Sequence, residues 1–259
     1  MKRVLFLLMT VLAVATALTS CKKDKENAYT VKLLKTIIKD DTEGFRYDKY
    51  KFEYDEQNRL TEMSQYFYGG DLYYTTTFTY AGDDLVQVLN RYSSGSVETY
   101  EFVKNGNTIT QKSINNGVIT NYIIELNSDG LPVKQEDEQP DNYPNIGIYE
   151  YQDGNLTKKT DRVLLPDDYT EWVDYTYTYY YDNEKGALYH CKTPKWYLIM
   201  HLNDFGVKNN ITEGGHLFRP WSVYTYKFDG AGFPTKRTSQ NYYHMFENER
   251  VEEFIYIKK

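Results

Sequence analysis

The sequence predicts an all-β protein: a long antiparallel β-meander of repeated hairpins, curled or closed into a barrel-like sheet. Three observations predict it. Apolar and polar residues alternate with period two, polar turn segments recur at regular spacing, and the chain is unusually aromatic, with 28 Tyr, 12 Phe and 3 Trp in 259 residues. A hydrophobic fraction of 41% excludes a disordered chain, and two Cys cannot staple a chain of this length. A net charge of −7 argues against a nucleic-acid partner.

The turn segments form a degenerate repeat. Each has an aromatic or apolar residue, a short turn rich in Asp, Asn and Gly, and another apolar residue five to seven positions later. Such turns suit hairpins, because Gly and Asn accept positive φ and Asp bonds to nearby backbone. The six segments are 52–61, 78–85, 126–131, 149–156, 179–188 and 228–233, with a weaker seventh at 102–109.

The residues beside these turns predict the faces of the sheet. Tyr50, Phe52 and Tyr54 would share one face, while Lys51 and Glu53 would share the other. A wet face indicates antiparallel strands, since parallel sheets are covered on both sides. A repeat of about 25 residues fits one hairpin, which gives roughly 12 to 15 strands. An open sheet of that size tends to curl or close to remove its edges.

The N-terminus has the pattern of an export signal. Lys2 and Arg3 precede an apolar run at residues 4–18, which is too short for a membrane span of about 20 residues. The run ends in Leu18-Thr19-Ser20-Cys21, which resembles the lipobox of bacterial lipoproteins. In that family the Cys thiol is joined to diacylglycerol and becomes the first residue. The alternative is a chance Cys after an ordinary signal peptide.

These features predict three parts of the chain: a lipoprotein signal peptide at 1–20, lipidated Cys21 and a flexible tether at 21–30, and one β-repeat domain at 31–259. Two acyl chains anchor a protein stably without a spanning helix. The predicted location is therefore the outer membrane of a Gram-negative bacterium. The charged run at 22–26 resembles signals that send some lipoproteins to the cell surface, and the periplasmic face is the alternative.

Two resemblances follow from these residues. Residues 52–61 resemble the YD (RHS-like) repeats of large bacterial β-shell proteins. Residues 30–259 are similar as a whole to a family of bacterial lipoproteins of unknown function with a porin-like fold, which also joins a lipobox to degenerate hairpin repeats. The resemblance implies the architecture and carries no activity.

The repeat lapses in a predicted insertion at about 189–222. Thr193 before Pro194 suggests a helix N-cap, and the spacing of Trp196, Ile199 and Met200 predicts one short helix at 194–205. An apolar helix in a β protein usually caps an open end of the sheet. The functional alternative is a lid or one wall of a binding site.

The sequence predicts no catalytic, metal-binding or cofactor-binding residue. The four His lack metal-ligand spacing, although His201 and His216 both fall in the insertion and a zinc site there is the alternative. Cys191 is left unpaired if Cys21 carries lipid. Its neighbour His190 would point to the opposite face of a strand, which favours a packed Cys over a Cys/His nucleophile.

The aromatic residues have two interpretations. Tyrosines that pack across strands are the ordinary one, and a stacking platform for sugar rings is the other, with Trp172, Trp196 and Trp221 as candidate ligand-binding residues. The first functional hypothesis is a lipid-anchored, non-enzymatic envelope protein, bound to the membrane through Cys21, with a glycan or an envelope protein as partner. The second is a surface hydrolase whose site lies beside the insertion. An integral porin is disfavoured, because one strand face carries many charges.

Overall fold

The computed structural model describes residues 31–40, 47–67, 69–137, 145–164, 172–216, 221–243 and 246–259. The chain divides into two compact units. One comprises Met1–Val31 and Lys259, of which only Val31 and Lys259 are described. The other is Lys32–Lys258 and contains every element below. Cys21 and the predicted signal peptide and tether lie outside the described residues.

The second unit is a closed antiparallel barrel in which each strand pairs with its neighbours in sequence and β1 pairs with β16. This confirms the predicted all-β meander and resolves the alternatives in favour of closure. The strands are β1 (Lys32–Asp40), β2 (Tyr47–Tyr54), β3 (Leu60–Phe67), β4 (Leu72–Ala81), β5 (Asp84–Tyr92), β6 (Val97–Asn105), β7 (Thr108–Asn115), β8 (Val118–Leu126), β9 (Pro132–Asp137), β10 (Asn145–Gln152), β11 (Asn155–Leu164), β12 (Trp172–Tyr181), β13 (Ile211–His216), β14 (Trp221–Phe228), β15 (Pro234–Tyr243) and β16 (Phe246–Lys258).

The predicted strand number was too low, because the described residues form 16 strands. Strand β13 lies inside the predicted insertion at 189–222. It carries Gly214 and Gly215 and lacks the aromatic alternation by which strands were recognised. The segment between β12 and β13 is instead 182–210.

One end of the barrel is built from the repeated turns, and we call it the tight-turn end. At this end Asp and Asn side chains bond to the turn backbone: Asp55 Oδ1 accepts from Arg59 N at 2.9 Å, and Asn127 Oδ1 accepts from Asp129 N at 2.9 Å. Residues 127–130 therefore form a hairpin turn, as the repeat predicts. Asn58 and Asp153 adopt positive φ of 68° and 51°.

Tyrosine hydroxyls tie neighbouring hairpins together at this end. In each case the hydroxyl donates to the carbonyl of the residue that begins the preceding strand. The bonds are Tyr80 to Leu60 (2.9 Å), Tyr151 to Pro132 (2.6 Å), Tyr226 to Ile211 (2.8 Å) and Tyr256 to Pro234 (2.9 Å). The tyrosine at the end of a repeat therefore fixes where the adjacent strand starts.

The alternation predicted from sequence separates the inside of the barrel from the outside. Phe52 is 1% exposed and belongs to the core, with the rings of Tyr50 and Tyr54 packed against it, whereas Lys51 and Glu53 are exposed. The aromatic face predicted for the sheet is therefore the wall of the lumen, and the charged face is the outer wall.

A segment between β12 and β13 fills part of the lumen, and we call residues 182–210 the plug. It contains helix α1 (Lys195–Leu202), followed by a 3-10 turn, η1 (Asn203–Phe205). The helix predicted at 194–205 is confirmed, but Thr193 is not its N-cap, since Pro194 takes that position without a side-chain cap. The Thr193 hydroxyl instead accepts from Leu60 N at 2.8 Å and so joins the plug to β3.

Helix α1 is buried on several sides because it lies inside the barrel. Trp196 and Tyr197 meet Phe102 of β6 edge to face, with ring centroids 5.0 and 6.3 Å apart. On another side of the helix, Ile199 packs with Leu131 and Leu156. A helix that is apolar around most of its circumference needs such an enclosure. The helix predicted to cap an open end of the sheet thus lies within the barrel, and the alternative of one wall of a binding site stays a prediction.

Two glycines let the plug fold back on itself. A Cβ added to Gly186 would lie 2.2 Å from the carbonyl oxygen of Gly206. The backbones also bond here: Leu188 N donates to Gly206 O at 3.0 Å. Only a residue without a side chain fits at position 186.

Replacing one of the bonding tyrosines should weaken the barrel. We expect Tyr151→Phe or Tyr226→Phe to lower the free energy of unfolding by about 1 to 2 kcal/mol, because a partly buried carbonyl loses its donor. Urea unfolding followed by circular dichroism measures this, with Tyr189→Phe as control, since that ring is 44% exposed. Equal midpoints for all three variants would contradict the role of the hydroxyls.

Substitution at the glycine contact should loosen the plug. We expect Gly186→Ala to lower the free energy of unfolding by about 3 kcal/mol or more, since the clash is with backbone that cannot rotate away. Gly230→Ala is the matched control, because its added Cβ has no neighbour within 4 Å. The measurement is the urea midpoint together with the rate of trypsin cleavage after Lys192 or Lys195. A stable, uncleaved Gly186→Ala variant would disprove the close contact.

Candidate functional site

The strongest candidate site is a cavity of about 320 Å³ between the plug and the barrel wall, which we call the lumen pocket. It lies on the side of α1 away from the tight turns, since Lys39, Tyr74 and Asn90 are at the far ends of their strands. Tyrosines and charged groups share its lining. The lining residues used below are Lys39, Tyr50, Tyr74, Tyr197, His201, Asp204 and Arg237.

A buried ion cluster connects the pocket wall to the plug. The guanidinium of Arg237 on β15 donates to the carboxylate of Glu252 on β16, and both side chains are less than 10% exposed, at 8% and 6%. Its Nη1 also donates to the backbone carbonyl of Asp204 at 2.5 Å. Lys39 on β1 lies 3.3 Å from Glu252, so three strands meet at this carboxylate and Arg237 joins them to the plug.

The electrostatics of the cluster keep both partners ionised. Burial alone would raise the pKa of Glu252, but the charges of Arg237 and Lys39 outweigh it and lower that pKa below its usual value. Burial alone would lower the pKa of the Arg237 guanidinium. Its interactions with Glu252, Tyr226 and Tyr224 outweigh burial and raise that pKa. Removing one partner would leave a buried charge without compensation.

Two plug groups are available to a ligand in the pocket. The side chains of His201 and Asp204 are exposed to the lumen although the barrel surrounds them. Among the described residues, neither the imidazole nor the carboxylate makes a hydrogen bond or ion pair. The His201 ring stacks on Tyr197, with centroids 4.4 Å apart and planes inclined by 30°. Its enclosed position, with the charge of Lys159, lowers the pKa of His201, which keeps it neutral at pH 7.

Several other polar groups of the pocket wall are already paired. Thr76 Oγ1 donates to Asn90 Oδ1 at 2.7 Å, and Gln65 Nε2 donates to the Tyr50 hydroxyl at 2.7 Å. The Lys39 ammonium lies 5.0 Å from the centroid of the Tyr50 ring. These contacts hold the walls of the pocket in place, and Asp204 and His201 are open groups of its described lining.

The three tryptophans predicted as a ligand platform lie in different environments. Trp172 begins β12 and is 42% exposed. Trp196 is 5% exposed and packs inside the barrel. The backbone of Trp221 begins β14 opposite Tyr242, and its side chain lies outside the described part of the chain. Trp172 and Trp196 therefore share no surface.

The residues of the candidate nucleophile pair, His190 and Cys191, make structural hydrogen bonds. Residues 190 and 191 lie in a turn, so the prediction of a strand there was wrong; Cys191 N donates to Leu188 O at 2.9 Å. His190 Nδ1 accepts from Lys32 N at 2.9 Å, and burial lowers its pKa. Burial raises the pKa of the Cys191 thiol, which lowers its reactivity.

The hydrolase hypothesis requires an acidic partner for a histidine. Within the described ranges His201 has none, and the side chain of His216 and all of His244 lie outside them. No group of three or more His, Cys, Asp or Glu among those residues could hold a metal ion. No described helix has the length and apolar character needed to cross a bilayer.

The sequence points to Tyr50 and His201 of the pocket but not to its ionic residues. Glu252 shares its strand face with Phe254 and Tyr256, so a charged residue in apolar register was the available signal for an inward ion pair. Asp204 had no such signal, because its position depends on how the plug enters the barrel.

Neither a family model nor a curated protein sequence matches the chain. Solved structures do match. A porin-like protein from Bacteroides uniformis is 17% identical, with a TM-score of 0.54, over 86% of this chain and 98% of that one. A porin-like protein from Bacteroides vulgatus is 13% identical, with a TM-score of 0.46, over 88% and 99%. The likeness to the Bacteroides uniformis structure confirms the predicted porin-like fold and shows nothing beyond the fold. The lipoprotein and YD-repeat resemblances stay predictions.

The buried ion pair should give the barrel an acid-sensitive component of stability. We expect Glu252→Gln to lower the free energy of unfolding at pH 7 by about 3 kcal/mol, because Arg237 loses its counter-charge. The pKa of Glu252 is lower in the folded state than in the unfolded state. Its contribution is therefore complete above the unfolded pKa of about 4.3 and is lost as the pH falls through the folded pKa.

Urea unfolding of wild type and Glu252→Gln between pH 3 and pH 7 measures this difference. Glu253→Gln is the control. Glu253 is adjacent to Glu252 in sequence, but its side chain is exposed on the outer wall, so its substitution should change the free energy of unfolding by less than about 0.5 kcal/mol. A difference between wild type and Glu252→Gln that stays constant to pH 3 would refute the assignment.

Proposed function

We propose that the protein is a non-enzymatic, lipid-anchored protein of the bacterial outer membrane. Its barrel lies in aqueous solution outside the bilayer, and its lumen binds a ligand. The observation that carries the proposal is the charged outer wall. Ion pairs between neighbouring strands, each with both side chains more than 40% exposed, join Lys112 to Glu101, Lys158 to Glu150 and Arg162 to Asp174.

A lipid-facing wall would not carry these groups. An Arg or Lys on the lipid face of a barrel costs about 2 to 4 kcal/mol at the middle of the bilayer. The exposed pairs occur near both ends of β11, at Lys158 and Arg162, which leaves no continuous apolar band on this side. A separate anchor would then hold the barrel at the membrane, and lipid on Cys21 would supply it.

Replacing the lipobox should release the protein from lipid. The double variant Leu18→Ala/Cys21→Ser keeps an export signal with an ordinary cleavage site of small residues. We expect wild type to enter the detergent phase of a Triton X-114 separation and the variant to stay in the aqueous phase, with the N-terminus of each checked by intact mass. Cys191→Ser, the control, should behave like wild type.

Two outcomes would contradict the proposal. A cleaved double variant that remained in the detergent phase would mean that the barrel wall itself binds lipid. An unacylated wild-type N-terminus would mean that Cys21 is not an anchor.

A further inference from the structure

The lumen pocket has the composition of a ligand site whose floor is the plug. Tyr197 and His201 from α1 and Asp204 from η1 face it from the plug, and Tyr50 and Tyr74 face it from β2 and β4. Its volume of about 320 Å³ is at the lower end of the range for small-molecule sites, about 300 to 1,000 Å³. A site of this size takes one small molecule or one unit of a longer one.

The charges of the pocket balance. Arg237 and Glu252 neutralise each other within the buried cluster. Of the remaining lining residues, Lys39 is positive and Asp204 is negative, while His201 is neutral at pH 7. The described lining of the pocket therefore has no net charge with which to attract an anion or a cation.

The polarity of the pocket excludes an apolar occupant as well. An apolar molecule would cover the Asp204 carboxylate and the Lys39 ammonium without replacing their contacts with water, which is costly. A molecule with several hydroxyl groups can donate to Asp204 and either donate to or accept from His201. Its C–H faces can pack against the rings of Tyr50 and Tyr74.

We propose that the lumen pocket binds a neutral saccharide unit, with Asp204 accepting from its hydroxyl groups and the tyrosines of the wall contacting its ring. This inference rests on the proposed binding role of the lumen. It assigns the aromatic contact to the tyrosines of the lumen wall instead of to Trp172, Trp196 and Trp221.

The experiment uses the full chain purified in detergent micelles. Glucose, galactose, mannose, xylose, N-acetylglucosamine, maltose and cellobiose are titrated by calorimetry, beside glucuronate, glucosamine and glucose 6-phosphate as charged analogues. We expect at least one neutral sugar to bind, and its charged analogues to bind more weakly.

Substitutions then place the site. Asp204→Asn keeps the shape of the side chain and the carbonyl that Arg237 binds. It should weaken the affinity for the bound sugar about tenfold, since a hydrogen bond to a charged carboxylate is replaced by one to a neutral amide. Tyr74→Ala should weaken it by a similar factor, and Glu253→Gln, on the outer wall, should leave it unchanged. Circular dichroism and the urea midpoint verify that each variant is folded.

Three results would overturn the inference: no binding by any neutral sugar, tighter binding of a charged analogue, or an affinity that Asp204→Asn and Tyr74→Ala leave unchanged. The detergent partition of Cys21 variants does not depend on any sugar. A failure of this inference is therefore distinguishable from a failure of the proposed anchoring.

Discussion

The hydrogen bond from a tyrosine hydroxyl to the first carbonyl of the preceding strand is the constraint on which the barrel depends. Closing a sheet requires every neighbouring pair of strands to keep a consistent stagger. Tyr80, Tyr151, Tyr226 and Tyr256 each fix one such pair at the tight-turn end. The register shifts that precede several of the same turns, such as the one between Thr79 and Tyr80, bend the strands at that level. The repeated tyrosine thus fixes the stagger of these strand pairs, which hydrophobic alternation alone does not specify.

The plug depends on the same end of the barrel for its position. Thr193 accepts from the backbone of Leu60, the residue whose carbonyl takes the Tyr80 hydroxyl, and the two hydroxyls are 3.0 Å apart. The glycine contact at Gly186 then folds the segment inward. At its other end the Asp204 carbonyl is held by Arg237 of the wall. Helix α1 is therefore fixed at both ends, and the pocket lining that it carries is fixed with it.

The sequence predicts the repeating parts of this structure better than the unique ones. The hairpins, the inward tyrosines and the short helix follow from period-two alternation, turn residues and helical spacing, because each is a local property. Closure follows only in general terms, since β1 and β16 are separated by almost the whole chain. Strand β13 was not predicted, because it lacks aromatic residues of its own. Gly214 lies against the ring of Tyr179, so the neighbouring strand supplies the aromatic side chain at this point. The pocket was not predicted, because closure of the barrel is what brings together Asp204, Arg237 and Lys39.

The existence of a lumen pocket is a consequence of strand number. A barrel of 8 strands is about filled by its own side chains, whereas one of 16 leaves space in its centre. Tyrosine side chains narrow that space, and α1 fills the part next to the tight turns with Trp196, Tyr197 and Leu198. The remainder cannot be filled with apolar groups, because Lys39 and Asp204 face it and must keep contact with water or with a polar ligand. The closed sheet and its inserted helix thus leave a polar cavity whose chemistry is set by the described residues of the helix and of the wall that face each other.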